Sequence, residues 1–105
     1  MFIAMNRFRV KKGMEAQFEA VWLNREVFIN REPGFVAFHM LKGPQTDTYS
    51  LYVSHTIWES RAMFEGWTRS ESFRAAHKAG ENKPLYIEGP QFEGFDVIQE
   101  VKRAA

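Results

Sequence analysis

The stretch "FVAFHMLKGPQTDTYSLYVSHTIW", positions 35–58, decides the fold. Two runs rich in aromatic and branched residues, 35–43 and 48–58, flank a polar turn segment around Pro44 to Asp47, and together they read as an antiparallel hairpin with a loop. In the first run Phe35, Ala37, His39 and Leu41 alternate with Val36, Phe38 and Met40, so both faces are apolar. A sheet with one wet face would alternate more cleanly. Helices are therefore expected on one face, and a second, identical sheet packed across a two-fold axis on the other.

Outward from the hairpin the chain continues the same pattern. "FIAMNRFRV" (2–10) alternates as a strand, with Phe2, Ala4, Asn6, Phe8 and Val10 on one side, and Asn6 is the polar exception on that side. After Gly13, "MEAQFEAVWLNREVFIN" (14–30) repeats Met14, Phe18, Val21, Trp22, Phe28 and Ile29 at helical spacing, with a gap at Arg25. "EPGF" ends that helix, because proline restricts the residue before it and glycine permits a turn. Beyond the hairpin, Ser60 can cap a helix whose Met63, Phe64 and Trp67 share a face, while Thr68 followed by Glu71 resembles a capping box for a second helix that Gly80 would stop. An irregular segment leads to a last strand at 92–101. The order β-α-β-β-α-α-β is that of a ferredoxin-like α+β domain, here a single domain over 1–105 that pairs into a dimeric α/β-barrel.

Composition narrows the function. Fourteen bases against thirteen acids give a formal net charge of +1, and the bases are scattered, so no basic footprint points to nucleic acid or a membrane surface. No cysteine is present, which removes disulfides and thiolate metal sites and fits a reducing compartment. The apolar start "MFIAM" is cut short by Asn6, Arg7 and Arg9, too early for a signal-peptide core or a span. A cytoplasmic protein is expected, with a small molecule and another copy of the chain as partners.

Three residues stand out for chemistry: Asn6, Trp67 and His77. In one unbroken helix Trp67 and His77 would lie about 15 Å apart along the axis and roughly 80° apart around it. A break at Thr68 to Ser70 lets two helices meet at an angle and aim both side chains into one cleft. His77 follows Phe73 by four residues and so shares its inward face. Around a flat, metal-bearing ring the trio has a purpose: a neutral imidazole suits axial ligation of heme iron, leaving the far side open to dioxygen. The Asn6 carboxamide could donate a hydrogen bond on that open side, and the Trp67 indole could press the ring out of plane, a recognised way to alter heme electronics. Each residue also has an ordinary use taken singly: a hydrogen-bonded structural histidine, a core tryptophan, an asparagine bonded to nearby backbone. His39 and His55 on the hairpin read as structural or interface residues. Arg7, Arg9, Arg74, Lys78 and Lys83 could meet carboxylates of such a ring or stay as solvated charge.

Asn6, "WES" (58–60), "FEGW" (64–67), "SESFRAAHK" (70–78) and the turn "EPGF" together resemble the IsdG-type heme-degrading monooxygenases of the antibiotic biosynthesis monooxygenase superfamily. The likeness covers essentially the whole chain, and from "LKGP" through "HTIWESRAMFEGWTRSESFRAAHKAG" to "PQFEGFDVIQ" it is nearest to the HmuQ/HmuD heme oxygenase branch. "WES" and the turn are common to the superfamily, whereas the Asn, Trp and His set is specific to the heme degraders. The resemblance implies a homodimer in which each subunit binds heme, with His77 as the iron's axial ligand and Asn6 and Trp67 completing the catalytic and heme-binding trio. It further implies oxidative opening of the porphyrin by dioxygen, with electrons from an external donor or reductase, releasing iron and an open-chain tetrapyrrole of biliverdin type. Two other classes stay open on the residues alone: a cofactor-independent monooxygenase acting on a polycyclic phenol, and a non-enzymatic heme-binding protein.

Overall fold

The computed structural model describes residues 1–24, 29–70, 73, 85–87 and 90–104. In chain order these form β1 (Phe2–Lys11), α1 (Glu15–Asn24), a 3-10 turn (Ile29–Arg31), β2 (Phe35–Gln45), β3 (Tyr49–Trp58), α2 (Arg61–Thr68) and β4 (Gln91–Asp96). The strands make one antiparallel sheet in the order β2-β3-β1-β4. Both helices pack on one face of it, the ferredoxin-like α+β arrangement expected from the element order.

Alternation decides which side chains meet the helices. On β1, Phe2, Ala4, Phe8 and Val10 are buried on the helix side, and on β3 the same side carries Ser50, Tyr52, Ser54, Thr56 and Trp58. Two aromatic clusters result. Phe8, Val10 and Tyr52 pack with Phe18 and Trp22 of α1, while Phe2, Ala4 and Trp58 pack with Ile29, Phe35 and with Phe64 and Trp67 of α2. Each helix thus owns one end of the sheet.

Local chemistry fixes the helix starts. Gly13 takes a left-handed φ of 88° between β1 and α1, and its N–H donates to Glu15 Oε1 at 2.9 Å. Ser60 caps α2 as expected: its Oγ accepts from the Met63 N–H at 3.2 Å. Gly34 in the "EPGF" turn has φ 81°, and its carbonyl accepts from the Glu59 N–H at 2.8 Å, tying the turn to the start of α2.

Several expectations need correction. Helix α1 is described only to Asn24; Arg25 to Phe28 lie outside the described residues, and Ile29 belongs to a 3-10 turn rather than to the helix. A bulge at Val36 shifts the β2 register, so Phe35 pairs opposite Trp58 on the helix side with Phe38 and Met40, and not with Ala37, His39 and Leu41. The hairpin turn sits at 46–48, where Thr46 Oγ1 accepts from the N–H groups of Thr48 and Tyr49; Pro44 lies within β2, acceptable because that strand is an edge. The break after α2 is capped by Ser70, whose Oγ accepts from the Phe73 N–H at 3.2 Å, whereas the Thr68 hydroxyl donates back to the Glu65 carbonyl. Glu71, Gly80 and the rest of the expected second helix, apart from Phe73, lie outside the described residues. The last strand ends at Asp96 instead of reaching 101, because β1 offers a partner only as far as Phe2; beyond it a single hydrogen bond, Val97 N–H to the Met1 carbonyl, continues the pairing. Finally, the irregular segment before β4 contributes structure that its sequence did not suggest: Tyr86 bridges Val10, and Leu85 is buried in the α1 cluster.

Candidate active site

The aromatic cover of the sheet is interrupted at one place. Along β1 the helix-side residues Phe2, Ala4, Phe8 and Val10 are at most 5 % exposed, but Asn6 between them is only half-buried. The gap follows from ownership of the two ends by two helices. From Ala4 to Phe8 the strand advances about 13 Å, the separation between the clusters at their floor. Its cross-strand row reads Phe92 on β4, Asn6 on β1, Ser54 on β3 and Met40 on β2. Two polar side chains therefore lie side by side on the floor of an otherwise apolar cleft.

Trp67 of α2 covers the Phe2 and Trp58 end of the sheet. Its ring packs on Trp58 (centroids 5.4 Å, planes at 30°), on Phe64 (6.1 Å) and edge-on against Phe73 (4.8 Å, 86°). Phe92, the β4 member of the floor row, stacks on Phe64 at 5.7 Å with nearly parallel planes. On the α1 side Trp22 packs against Phe8 at 5.6 Å and stacks with Phe38 of β2 at 6.0 Å. Trp22, Leu23, Phe38 and Met40 also line a hollow of about 470 Å³ that opens beside the floor row and ends in Lys42, Glu19 and Tyr52.

That polar end is already engaged. Glu19 Oε2 accepts from the Tyr52 hydroxyl at 2.5 Å and meets Lys42 Nζ at 3.3 Å. The Tyr52 hydrogen bond, followed by Lys42, holds the Glu19 carboxyl below its ordinary value, and burial and then Glu19 push the Tyr52 phenol well up. The Glu15 carboxyl is lowered chiefly by the Ser50 hydroxyl, 2.7 Å away. Both acids bind α1 to β3.

The structure places two of the three residues singled out from the sequence on the helix-covered side of the sheet, Asn6 at mid-strand and Trp67 over the Phe2 and Trp58 end. Asn6 is on the helix side of β1 and Trp67 on the inward side of α2, each on the face expected. His77 lies outside the described residues, as do Arg74, Lys78 and Lys83. Arg7 and Arg9 project from the opposite face of β1, where Arg7 pairs with Glu93 at 3.6 Å and Arg9 lies over the Tyr49 ring, so neither reaches the cleft. His39 and His55 face each other across β2 and β3 on that same open face, with ring centroids 5.9 Å apart. Among the described residues no group of three or more His, Cys, Asp or Glu could hold a metal ion. Sequence reasoning missed Ser54, Trp22, Phe38 and Met40 as cleft residues. The hydroxyls at 50, 54 and 56, alternating with the inward faces of Tyr52 and Trp58, were the available signal for the first of them.

A layered cleft with apolar aromatic walls and a small polar floor is the construction expected around a flat organic ring. The profile of the antibiotic biosynthesis monooxygenase family matches residues 1–79. This chain belongs to that family. Within it, a heme-degrading monooxygenase of Shouchella clausii (strain KSM-K16) is 31% identical over 97 residues, covering 92% of this chain and 90% of the relative. Among solved structures, the heme degrader MhuD of Mycobacterium tuberculosis, with two hemes bound in its active site, aligns with a TM-score of 0.74 at 25% identity, covering 97% of this chain and 100% of that one. SnoaB of Streptomyces nogalater, a cofactor-independent oxygenase, aligns with a TM-score of 0.70 at 25% identity over 97% of each chain. These relatives bear out the likeness to heme-degrading monooxygenases, and they make the chain a monooxygenase-family enzyme.

Proposed function

We propose that this enzyme degrades heme: it opens the porphyrin oxidatively with dioxygen and electrons from an external reductase, releasing iron and an open-chain tetrapyrrole of biliverdin type. The observation that carries the reading is the break in the aromatic cover at Asn6, on the same helix-covered side of the sheet as the braced Trp67. The relatives named as heme degraders supply the substrate class.

Heme supplies the oxygen chemistry through its own iron and ring. The chain's part is to hold, bend and orient. His77 is the residue proposed to hold the heme iron; it follows Phe73, which packs on Trp67, by four positions in the sequence. Trp67 is backed by Trp58, Phe64 and Phe73, and so would push on a bound ring instead of yielding to it. Asn6 would offer carboxamide N–H groups to a bound ring. The aromatic walls exclude water from that space and strengthen the hydrogen bond made there.

The working form is proposed to be a homodimer in the reducing cytoplasm. The sheet face away from the helices carries Ile3, Met5, Leu51, Val53 and Ile57, with Leu41 and Phe95 substantially exposed. Ile98 and Val101, beyond β4, are 96% and 82% exposed, which is costly for a lone chain and explicable by a second copy. Among the described residues no helix is long and apolar enough to cross a membrane.

Titration with hemin, followed by an electron source under air, tests the activity. The expected result is a Soret band saturating at one heme per subunit that decays on reduction, and His77→Ala should lose it. The likeness to SnoaB sustains a second reading, cofactor-independent oxygenation of a polycyclic phenol, which predicts no Soret shift. A heme that binds and survives reduction would instead indicate a carrier.

A further inference from the structure

Beyond the trio, the floor of the cleft holds a second polar group. Ser54 lies directly opposite Asn6 in the β1–β3 register, on the helix-covered face, and is 7% exposed. Its neighbours on that face show what a buried hydroxyl does here when it is structural. Thr56 donates to the Ala4 carbonyl at 3.1 Å, and Ser50 donates to Glu15 at 2.7 Å. Ser54 makes neither kind of bond; among the described residues its hydroxyl has no hydrogen-bond partner, and the same is true of the Asn6 carboxamide. Neither group is committed to the structural bonding that occupies Thr56 and Ser50, and the register leaves the two directly opposite and available to each other.

Resting on the heme-degrading reading, we infer that Ser54 is the positioning residue for Asn6: its hydroxyl donates to Asn6 Oδ1 and turns the carboxamide NH₂ toward the ring. Directly opposed cross-strand residues have Cβ atoms about 4.5–5.5 Å apart, which lets a serine Oγ reach an asparagine Oδ1 by rotation about χ1 alone. The need is specific to an amide. A carboxamide can present either its oxygen or its nitrogen to a ligand, and only the nitrogen donates. A donor fixed at Oδ1 removes the wrong orientation, and serine is the smallest residue that supplies one without filling the cleft.

The test uses the full-length protein loaded with heme, reduced and exposed to carbon monoxide, whose C–O stretch reports hydrogen-bond donation on the open side of the ring. Asn6→Ala should raise that frequency. Ser54→Ala should raise it part of the way, leave hemin affinity within about threefold, and slow turnover about three- to tenfold, the loss expected for one hydrogen bond. Ser54→Thr should restore the wild-type frequency and Ser54→Val, equal in shape, should not, a comparison that holds even if alanine destabilises the chain. In an Asn6→Ala background Ser54→Ala should add nothing. An unmoved C–O stretch in Ser54→Ala and Ser54→Val, or an equal shift with Asn6 already removed, would overturn the inference while leaving heme degradation intact. Absence of any Soret shift in the wild type would overturn both.

Discussion

The indole at position 67 is braced by three aromatic rings, and bracing is what lets a side chain push on a ligand instead of yielding to it. Trp67→Phe keeps an apolar wall but shortens it. Hemin should still bind within a few-fold of wild type, while the rate of Soret loss under reductant falls at least tenfold; an unchanged rate would remove bending from the mechanism. A second residue is constrained by backbone alone. Gly34 sits at φ 81°, and a Cβ there would run into Met63 Sδ and lie 2.7 Å from Met63 Cβ. Gly34→Ala should therefore lose about 2–4 kcal/mol in urea unfolding, from the left-handed backbone and the displaced methionine together. "EPGF" announced a turn but not this contact, since the position of Met63 depends on where Ser60 starts α2.

At the scale of elements, α1 is fastened to β3 by two carboxylates, and this gives its docking a pH dependence. Glu15 and Glu19 are both lowered from 4.5 by the hydroxyls of Ser50 and Tyr52, so the folded state binds their protons more weakly than the unfolded chain does. Stability from this source is present above the unfolded value and is lost as the pH falls below about 4.5 through the folded values. Melting temperature measured from pH 7 to pH 3 should drop more steeply in the wild type than in Glu19→Gln; equal slopes would exclude the contact. The elements themselves were largely legible. Period-two alternation gave β1 and β3, and helical spacing gave the inward face of α1. The β2 faces were misread because a bulge adds one residue without any mark in composition, and the end of β4 was misplaced because strand length depends on the neighbour's length.

For the whole molecule, the sheet face away from the helices is the surface on which the proposed dimer would form. Leu41 is 43% exposed on that face, so the single chain should tolerate a charge there better than a dimer would. Leu41→Asp should sediment as a monomer at concentrations where the wild type runs at twice the chain mass, with its far-UV circular dichroism unchanged; a dimeric variant would move the interface elsewhere. The sequence by itself determined the fold class, the faces on which Asn6 and Trp67 lie, and the family, because alternation, spacing and short runs such as "WES" are local properties. Only the tertiary structure decided that the cover of the sheet opens at Asn6 and that Ser54 stands opposite it. Strand register and the division of the sheet between two helices arise from contacts distant in sequence, and no short-range pattern encodes which residue will face which across a ladder.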